Sequence, residues 1–139
     1  MWSIDKIKER WNGMQTVLKA LDWSQSCLFD VLCTIIEEIT EKPADLIAII
    51  RDALDNGLMT SDFYIKDSIA ILMRNTGHKF TRDVVKKLPD KIEDNWFTVE
   101  VHEWNGGNHF RRRFCDTLLN SNTVKKGHIK EYYIYKMVG

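Results

Sequence analysis

The sequence predicts an α+β protein in which N-terminal helices pack on a C-terminal antiparallel β-sheet. Up to about residue 76, apolar residues recur at spacings of three and four, which is the period of an amphipathic helix. From about residue 78 to 138 the chain is instead rich in aromatic and β-branched residues that alternate with turn-forming residues, a pattern typical of strands. We expect the 139 residues to form one domain with one core.

The first two predicted helices run from about Ser3 to Leu21 and from Cys27 to Ile39. Serine residues just before Cys27 can cap the second helix by accepting a backbone N–H. The second helix should be the central and most buried one, because its apolar residues form the strongest stripe in the chain: Leu28, Val31, Leu32, Ile35, Ile36 and Ile39.

Two further helices are predicted before the sheet. The third runs from about Ala44 to Asp55 and ends at Asn56-Gly57, and the fourth runs from about Ile65 to Arg74 and closes at Gly77. Glycine suits these ends because it adopts the left-handed conformation that terminates helices.

The composition of the second half of the sequence predicts strands joined by turns. Residues Trp96 to Trp104 and His128 to Val138 have strand composition, and Lys79 to Val84 is a further strand. Between them, residues 105–108 read Asn-Gly-Gly-Asn, which is turn chemistry. Residues 86–95 are charged and contain a proline, so we expect a connecting loop there.

Composition narrows the function classes. Lys+Arg and Asp+Glu both number 20, and this balance argues against sequence-independent nucleic-acid binding. Three widely separated cysteines suggest reduced thiols in a cytoplasmic protein, and no spacing predicts a metal site or a cofactor. The start of the chain lacks a signal-peptide pattern, and no stretch has the roughly 20 apolar residues that span a bilayer. No membrane association is therefore expected.

Cys27 is the candidate nucleophile, because the sequence places it in the first turn of the central helix. N–H groups at a helix start have no intrahelical partner, and the peptide dipoles put partial positive charge there, which favours thiolate over thiol. The competing interpretation is a packed, inert cysteine. Cys33, in the middle of the same helix, and Cys115, in the strand region, are interpreted as packing residues.

His109 is the candidate base, because it follows a glycine pair at a strand start, where the backbone leaves room for a ligand. It would accept the thiol proton and later return a proton to the leaving group. The other histidines, His78, His102 and His128, are interpreted as solvated or structural.

Asp116 is the candidate orienting group for His109. Seven residues of straight strand would separate the two by roughly 23 Å, so the triad requires a tight hairpin at Arg111-Arg112-Arg113. The alternative is that Asp116 caps a turn with Thr117, and the orienting role is also open to the amides of Asn108, Asn120 and Asn122. Gln25 is a candidate oxyanion donor beside the backbone N–H of Cys27, or else a polar residue of the loop.

These motifs resemble papain-like cysteine hydrolases in their compact bacterial and phage forms. The segments Ser26-Cys27-Leu28-Phe29-Asp30, Gly106-Gly107-Asn108-His109-Phe110 and Cys115-Asp116-Thr117-Leu118-Leu119, with the tyrosine-rich end, carry the resemblance. From about Trp23 onward, the chain is similar to small phage- and plasmid-borne proteins. The resemblance implies a papain-like minimal domain with Cys27 as nucleophile, His109 as base and Asp116 as orienting carboxylate.

The sequence thus predicts a cysteine peptidase or amidase of phage or mobile-element origin. The resemblance suggests peptide or peptidoglycan-like substrates. The alternative is a non-catalytic binding protein on the same scaffold, which would use the arginine run or exposed tryptophans. A third reading, an accessory protein that recognises phosphates or nucleic acid, would show steep salt dependence of binding.

Overall fold

The structure is a computed structural model that describes residues 27–61, 64–104, 107–111 and 128–138. Three helices precede four strands in this part of the chain. The helices are α1 (Cys27–Thr40), α2 (Leu46–Asp55) and α3 (Ser68–Thr76), and the strands are β1 (Lys79–Val85), β2 (Trp96–Trp104), β3 (Gly107–Arg111) and β4 (His128–Val138). The predicted α+β class and its order, helices first and sheet second, are confirmed. The predicted helix at 3–21 lies outside the described residues.

Local capping sets the helix boundaries. Asp45 accepts the N–H of Ala48 at 3.1 Å, so α2 begins at Leu46 and not at Ala44. Asp67 accepts the N–H of Ala70 at 3.0 Å and starts α3. The predicted start of this helix at Ile65 is therefore wrong, because Ile65 instead forms an isolated antiparallel bridge with Met59.

The four strands form one antiparallel sheet in the order β1-β4-β2-β3. The C-terminal strand β4 lies inside the sheet, between β1 and β2, while β1 and β3 are the edges. The pairing of Trp104 with Gly107 leaves two residues between β2 and β3. Gly107 and Asn108, predicted as turn residues, therefore belong to β3. The register of the β2–β4 pairing shifts between Val101 and His102.

The core lies between the helices and one face of the sheet. Phe97 of β2 pairs with Tyr135 of β4, and both are buried with Phe80 of β1 against α1 and α3. α1 is confirmed as the central helix, since most of its apolar residues are almost completely inaccessible: Phe29, Val31, Leu32, Cys33, Ile35 and Ile36. The prediction that Cys33 packs in the core is also confirmed.

Two of the helices lie beside different edge strands of the sheet. α1 packs beside β3, and α3 packs beside β1, while α1 and α3 also contact each other. Arg74 of α3 holds Asp52 of α2 through two 2.8 Å hydrogen bonds, which ties α2 to this pair. The helix that begins at Cys27 therefore lies next to the strand that contains His109.

Candidate functional site

Cys27 is the first residue of α1, the position from which the sequence interpretation proceeds. The backbone N–H groups of this first turn are not used by the helix itself. Asp30 follows one turn later and is 1% exposed. Burial raises the pKa of Asp30 well above its usual range, so its carboxyl favours the neutral acid.

His109 is the third residue of β3, which is an edge strand among the described strands. In the register of the β2–β3 pair it lies directly opposite His102. Its neighbour Phe110 packs on the core and lies 5.7 Å from the ring of Tyr133, measured between ring centroids. Because strand residues alternate between faces, Phe110 belongs to the helix-covered face and position 109 to the opposite one.

Two of the predicted site residues, Cys27 and His109, lie on elements that contact each other. α1, which starts at Cys27, contacts β3, which contains His109. Asp116 and Gln25 lie outside the described residues, as do the alternative orienting residues Asn120 and Asn122. Arg111 is the last residue of β3, and the remainder of the predicted arginine hairpin also lies outside them.

The Glu100–His102 pair on β2 is a feature that the sequence interpretation missed. Nε2 of His102 lies 2.9 Å from Oε1 of Glu100, and their side chains are only 7% and 14% exposed. Nδ1 of His102 is buried and has no hydrogen-bond partner among the described residues. The prediction that His102 is a structural residue in a strand agrees with its burial but does not account for this nitrogen.

A signal for this pair was present in the sequence. Residues two apart in a strand share a face, which places Glu100 and His102 together. The pairing of Trp104 with Gly107 sets His102 opposite His109. The turn expected at 105–108 left Gly107 and Asn108 outside the strand and therefore did not give this register.

A polar stripe on α1 is buried as deeply as the apolar residues around it. Asp30, Thr34 and Glu37 follow one another at spacings of four and three and are at most 1% exposed. The Thr34 hydroxyl donates to the carbonyl of Val31 at 2.6 Å, and Oε1 of Glu37 accepts the N–H of Ala44 at 2.9 Å. Glu37 therefore fixes the connection between α1 and α2.

A tyrosine–arginine cluster occupies the helix side of the sheet near β1. The guanidinium of Arg82 lies 4.8 Å from the ring centre of Tyr133, and the Tyr135 hydroxyl donates to Oγ of Ser68 at 2.8 Å. Burial raises the pKa of both tyrosines above their usual range, so both hydroxyls remain protonated donors. This cluster joins α3 to the sheet.

Within ranges 27–61, 64–104, 107–111 and 128–138, no three His, Cys, Asp or Glu side chains stand together as a metal site requires. In the same ranges no helix has the length and apolar character needed to cross a membrane. Comparisons with protein families, with curated proteins and with solved structures returned no match.

Proposed function

We propose that this chain is a cysteine hydrolase, a peptidase or amidase, in which Cys27 is the nucleophile and His109 the base. The observation that carries the proposal is the contact between α1 and β3, since it sets the helix that starts at Cys27 beside the strand that contains His109. A papain-like arrangement has the same two parts, a thiol at a helix start and an imidazole on a neighbouring strand. The sequence resemblance supports this reading.

The proposed reaction has two stages. His109 takes the thiol proton, and the thiolate of Cys27 attacks the amide carbonyl carbon to give a tetrahedral intermediate. The C–N bond breaks, and the amine leaves with the proton from His109, so that an acyl thioester remains on Cys27. Water then attacks the thioester while His109 takes its proton. The C–S bond breaks, and the proton returns to Cys27 as the carboxylic acid product leaves.

The proposal also assigns supporting roles to Asp116 and Gln25 and names candidate substrates. Asp116 would orient His109, and the side-chain amide of Gln25 with the backbone N–H of Cys27 would stabilise the oxyanion. Peptidoglycan stem peptides and protein isopeptides are the proposed substrates, through the resemblance to phage and mobile-element proteins.

One observation favours a second candidate, a non-catalytic binding protein on the same scaffold. Phe110 packs on the core, and strand alternation assigns position 109 to the face that α1 does not cover. A catalytic contact must then be made around the sheet edge. The edge position of β3 allows such an approach, because no further described strand lies beyond it.

Alkylation of Cys27 by iodoacetamide separates the two candidates. Peptide mass spectrometry would give the rate for each cysteine from pH 5 to 10, with Cys33, which is fully buried, as an internal control. The hydrolase predicts selective labelling of Cys27 whose rate titrates well below the ordinary thiol pKa of about 8.5. His109→Ala should remove this activation, and His78→Ala should leave it unchanged.

Labelling of Cys27 no faster than that of the other cysteines would contradict the hydrolase. The same result would favour the binding protein. If Cys27 is activated, the next measurement is hydrolysis of peptidoglycan fragments and of isopeptide substrates by the intact chain and by Cys27→Ala.

A further inference from the structure

β1 forms an edge of the sheet that is largely exposed. It pairs with β4 on one side, and no described strand pairs with it on the other. Five of its seven residues are exposed and only Phe80 is buried. Val84, an apolar β-branched residue, is 52% exposed. The backbone N–H and C=O groups on the outer side of such a strand can pair with a strand of another chain.

One face of this edge carries a lysine and an aspartate on either side of Thr81. Phe80 packs in the core, so positions 80, 82 and 84 belong to the helix-covered face and positions 79, 81 and 83 to the opposite face. On that opposite face, Nζ of Lys136 in β4 lies 2.7 Å from Oδ2 of Asp83. The Asp83 side chain is nevertheless 49% exposed, so a second cation can reach it. Lys79 is exposed as well.

We propose that two copies of this chain pair through their β1 strands, antiparallel, about a twofold axis at Thr81. The two sheets then join edge to edge, and the same residues of both chains form the interface. Thr81 lies opposite the partner's Thr81, and Lys79 lies opposite the partner's Asp83. Because the axis is twofold, the contact between lysine and aspartate occurs twice. This inference does not rest on the proposed hydrolase.

Charge selects this register from its neighbours. A twofold axis through an antiparallel pair sets one residue opposite its own copy, and opposite residues share a face. An axis at Arg82 would set two guanidiniums opposite each other, and an axis at Asp83 would set two carboxylates opposite each other. Like charges directly opposite are destabilising. An axis at Phe80 gives no opposite-charge pair, so of these registers only the axis at Thr81 gives two.

Charged side chains on an edge strand normally prevent edge-to-edge pairing. Here they oppose the registers that set like charges opposite and favour the one in which Lys79 meets Asp83. The same register sets Val84 opposite the partner's His78, which precedes β1, and so covers an apolar side chain that is otherwise in water. One pair of seven-residue strands is a small interface, so we expect the dimer to form reversibly and to depend on concentration.

The dimer leaves the candidate site accessible. β3 is the strand farthest from β1 in the order β1-β4-β2-β3. Joining two sheets at β1 therefore places the two copies of β3 at the far edges of the combined sheet. α1 packs beside β3 and so also lies away from the new interface.

Sedimentation equilibrium of the full chain over a range of concentrations measures the association. Lys79→Asp and Asp83→Lys each turn two opposite-charge contacts into two like-charge contacts, so each should raise the dimer Kd roughly tenfold or more. Lys79→Asp is the cleaner change, because Asp83 also contacts Lys136. Lys42→Asp, at an exposed lysine between α1 and α2, is the matched control and should leave the Kd unchanged.

Mixing the two variants tests the pairing itself. Lys79→Asp carries carboxylates at both positions and Asp83→Lys carries ammonium groups at both, so each chain repels its own copy and complements the other. An equimolar mixture should form a heterodimer, identified by its mass in native mass spectrometry, at a concentration where each variant alone is monomeric. A mixture that associates no more tightly than the separate variants would overturn the proposal.

A disulfide reports the register. Cβ atoms of directly opposite residues are about 5 Å apart, so a small shift brings two cysteines within bonding distance. Thr81→Cys should form a disulfide with its own copy under mild oxidation, whereas Arg82→Cys, whose copy is two positions away along the partner strand, should do so much less. Mass spectrometry of the linked peptide separates this bond from those of the three native cysteines.

Two further results would overturn the proposal. One is a native chain that stays monomeric at every concentration reached, and the other is a dimer whose Kd changes in neither charge variant. Circular dichroism shows whether each variant is folded. If Asp83→Lys does not fold, Lys79→Asp and Thr81→Cys still decide the question, because both replace exposed side chains outside the core.

Discussion

The hydroxyl of Tyr135 donates a 2.8 Å hydrogen bond to Oγ of Ser68, which joins the middle of β4 to the first residue of α3. Tyr135 is completely buried and Ser68 is 6% exposed. This bond is therefore a fixed point between the helices and the sheet. It also places the start of α3 relative to the face that contains Phe97 and Tyr133.

Removing this hydroxyl should destabilise the protein by about 1 kcal/mol, the usual net value of a buried hydrogen bond. We expect that loss for Tyr135→Phe in the free energy of unfolding from urea denaturation. Ser68→Ala should give a similar loss, and the double variant should lose less than the sum because both remove one interaction. Tyr64→Phe, at a 65% exposed position, is the control. Additive losses would show that the two side chains do not interact.

We expect Glu37 to stabilise the protein through its hydrogen-bond acceptor and not through its negative charge. Glu37→Met has a similar shape but leaves the buried N–H of Ala44 without its 2.9 Å partner, so we expect a loss of about 1–3 kcal/mol in the free energy of unfolding. Glu37→Gln keeps an oxygen at this position and should be much closer to the native chain. Equal losses in the two variants would mean that the carboxylate charge is what stabilises the turn.

We expect Asp30 to make the free energy of unfolding fall as pH rises, which is the opposite of the usual effect of a carboxyl group. Burial raises the pKa of Asp30 in the folded state above its unfolded value, so the folded chain binds this proton more tightly. Stability is then highest below the unfolded pKa of about 3.9 and falls as pH rises from there through the raised folded pKa. Each unit of difference between the two values corresponds to about 1.4 kcal/mol.

The measurement for Asp30 is the free energy of unfolding from pH 3 to 8 in the native chain and in Asp30→Asn. The variant should lose this downward slope and be the more stable chain at neutral pH. Asp55→Asn, at the exposed end of α2, is the control for loss of a carboxylate. A slope that persists unchanged in Asp30→Asn would assign it to another group.

Gly77 ends α3 in the left-handed conformation, with φ of 75°, and its N–H donates to the carbonyl of Met73 at 3.0 Å. An added Cβ would meet no atom within 4 Å, so only the backbone conformation opposes a side chain there. We expect Gly77→Ala to lose about 1 kcal/mol in the free energy of unfolding. Gly77→Asn should lose less, because asparagine tolerates this conformation. The reverse order would contradict a purely conformational origin.

The helices and strands were largely readable from the sequence, because their patterns depend on neighbours within a few residues. The stripe on residues 27–39 predicted α1 to within one residue at its end, and Trp96 to Trp104 was predicted as the strand that is observed. The start of α3 was misplaced because Ile65 is apolar in sequence but pairs with Met59 in space. A helix start at Ile65 and a bridge at Ile65 exclude each other, and only the folded chain shows which occurs.

For the candidate site, the sequence named residues but not their arrangement. Helix chemistry singled out Cys27, and glycine spacing singled out His109, without any knowledge of how far apart they lie. His102 was set aside as structural because burial and cross-strand partners depend on register. The pairing of Trp104 with Gly107 sets that register, and a shift of one residue would place another residue opposite His109.

The sequence by itself determined the α+β class, the central helix that begins at Cys27 and the left-handed glycine at position 77, since short-range periodicity and backbone sterics decide each of these. Only the tertiary structure decided that β4 lies inside the sheet, that α1 packs beside β3 and that Glu100 and His102 form a buried pair opposite His109. Strand order and burial arise from contacts between residues far apart in the chain. No local pattern encodes strand order or burial, so both follow from packing the whole core.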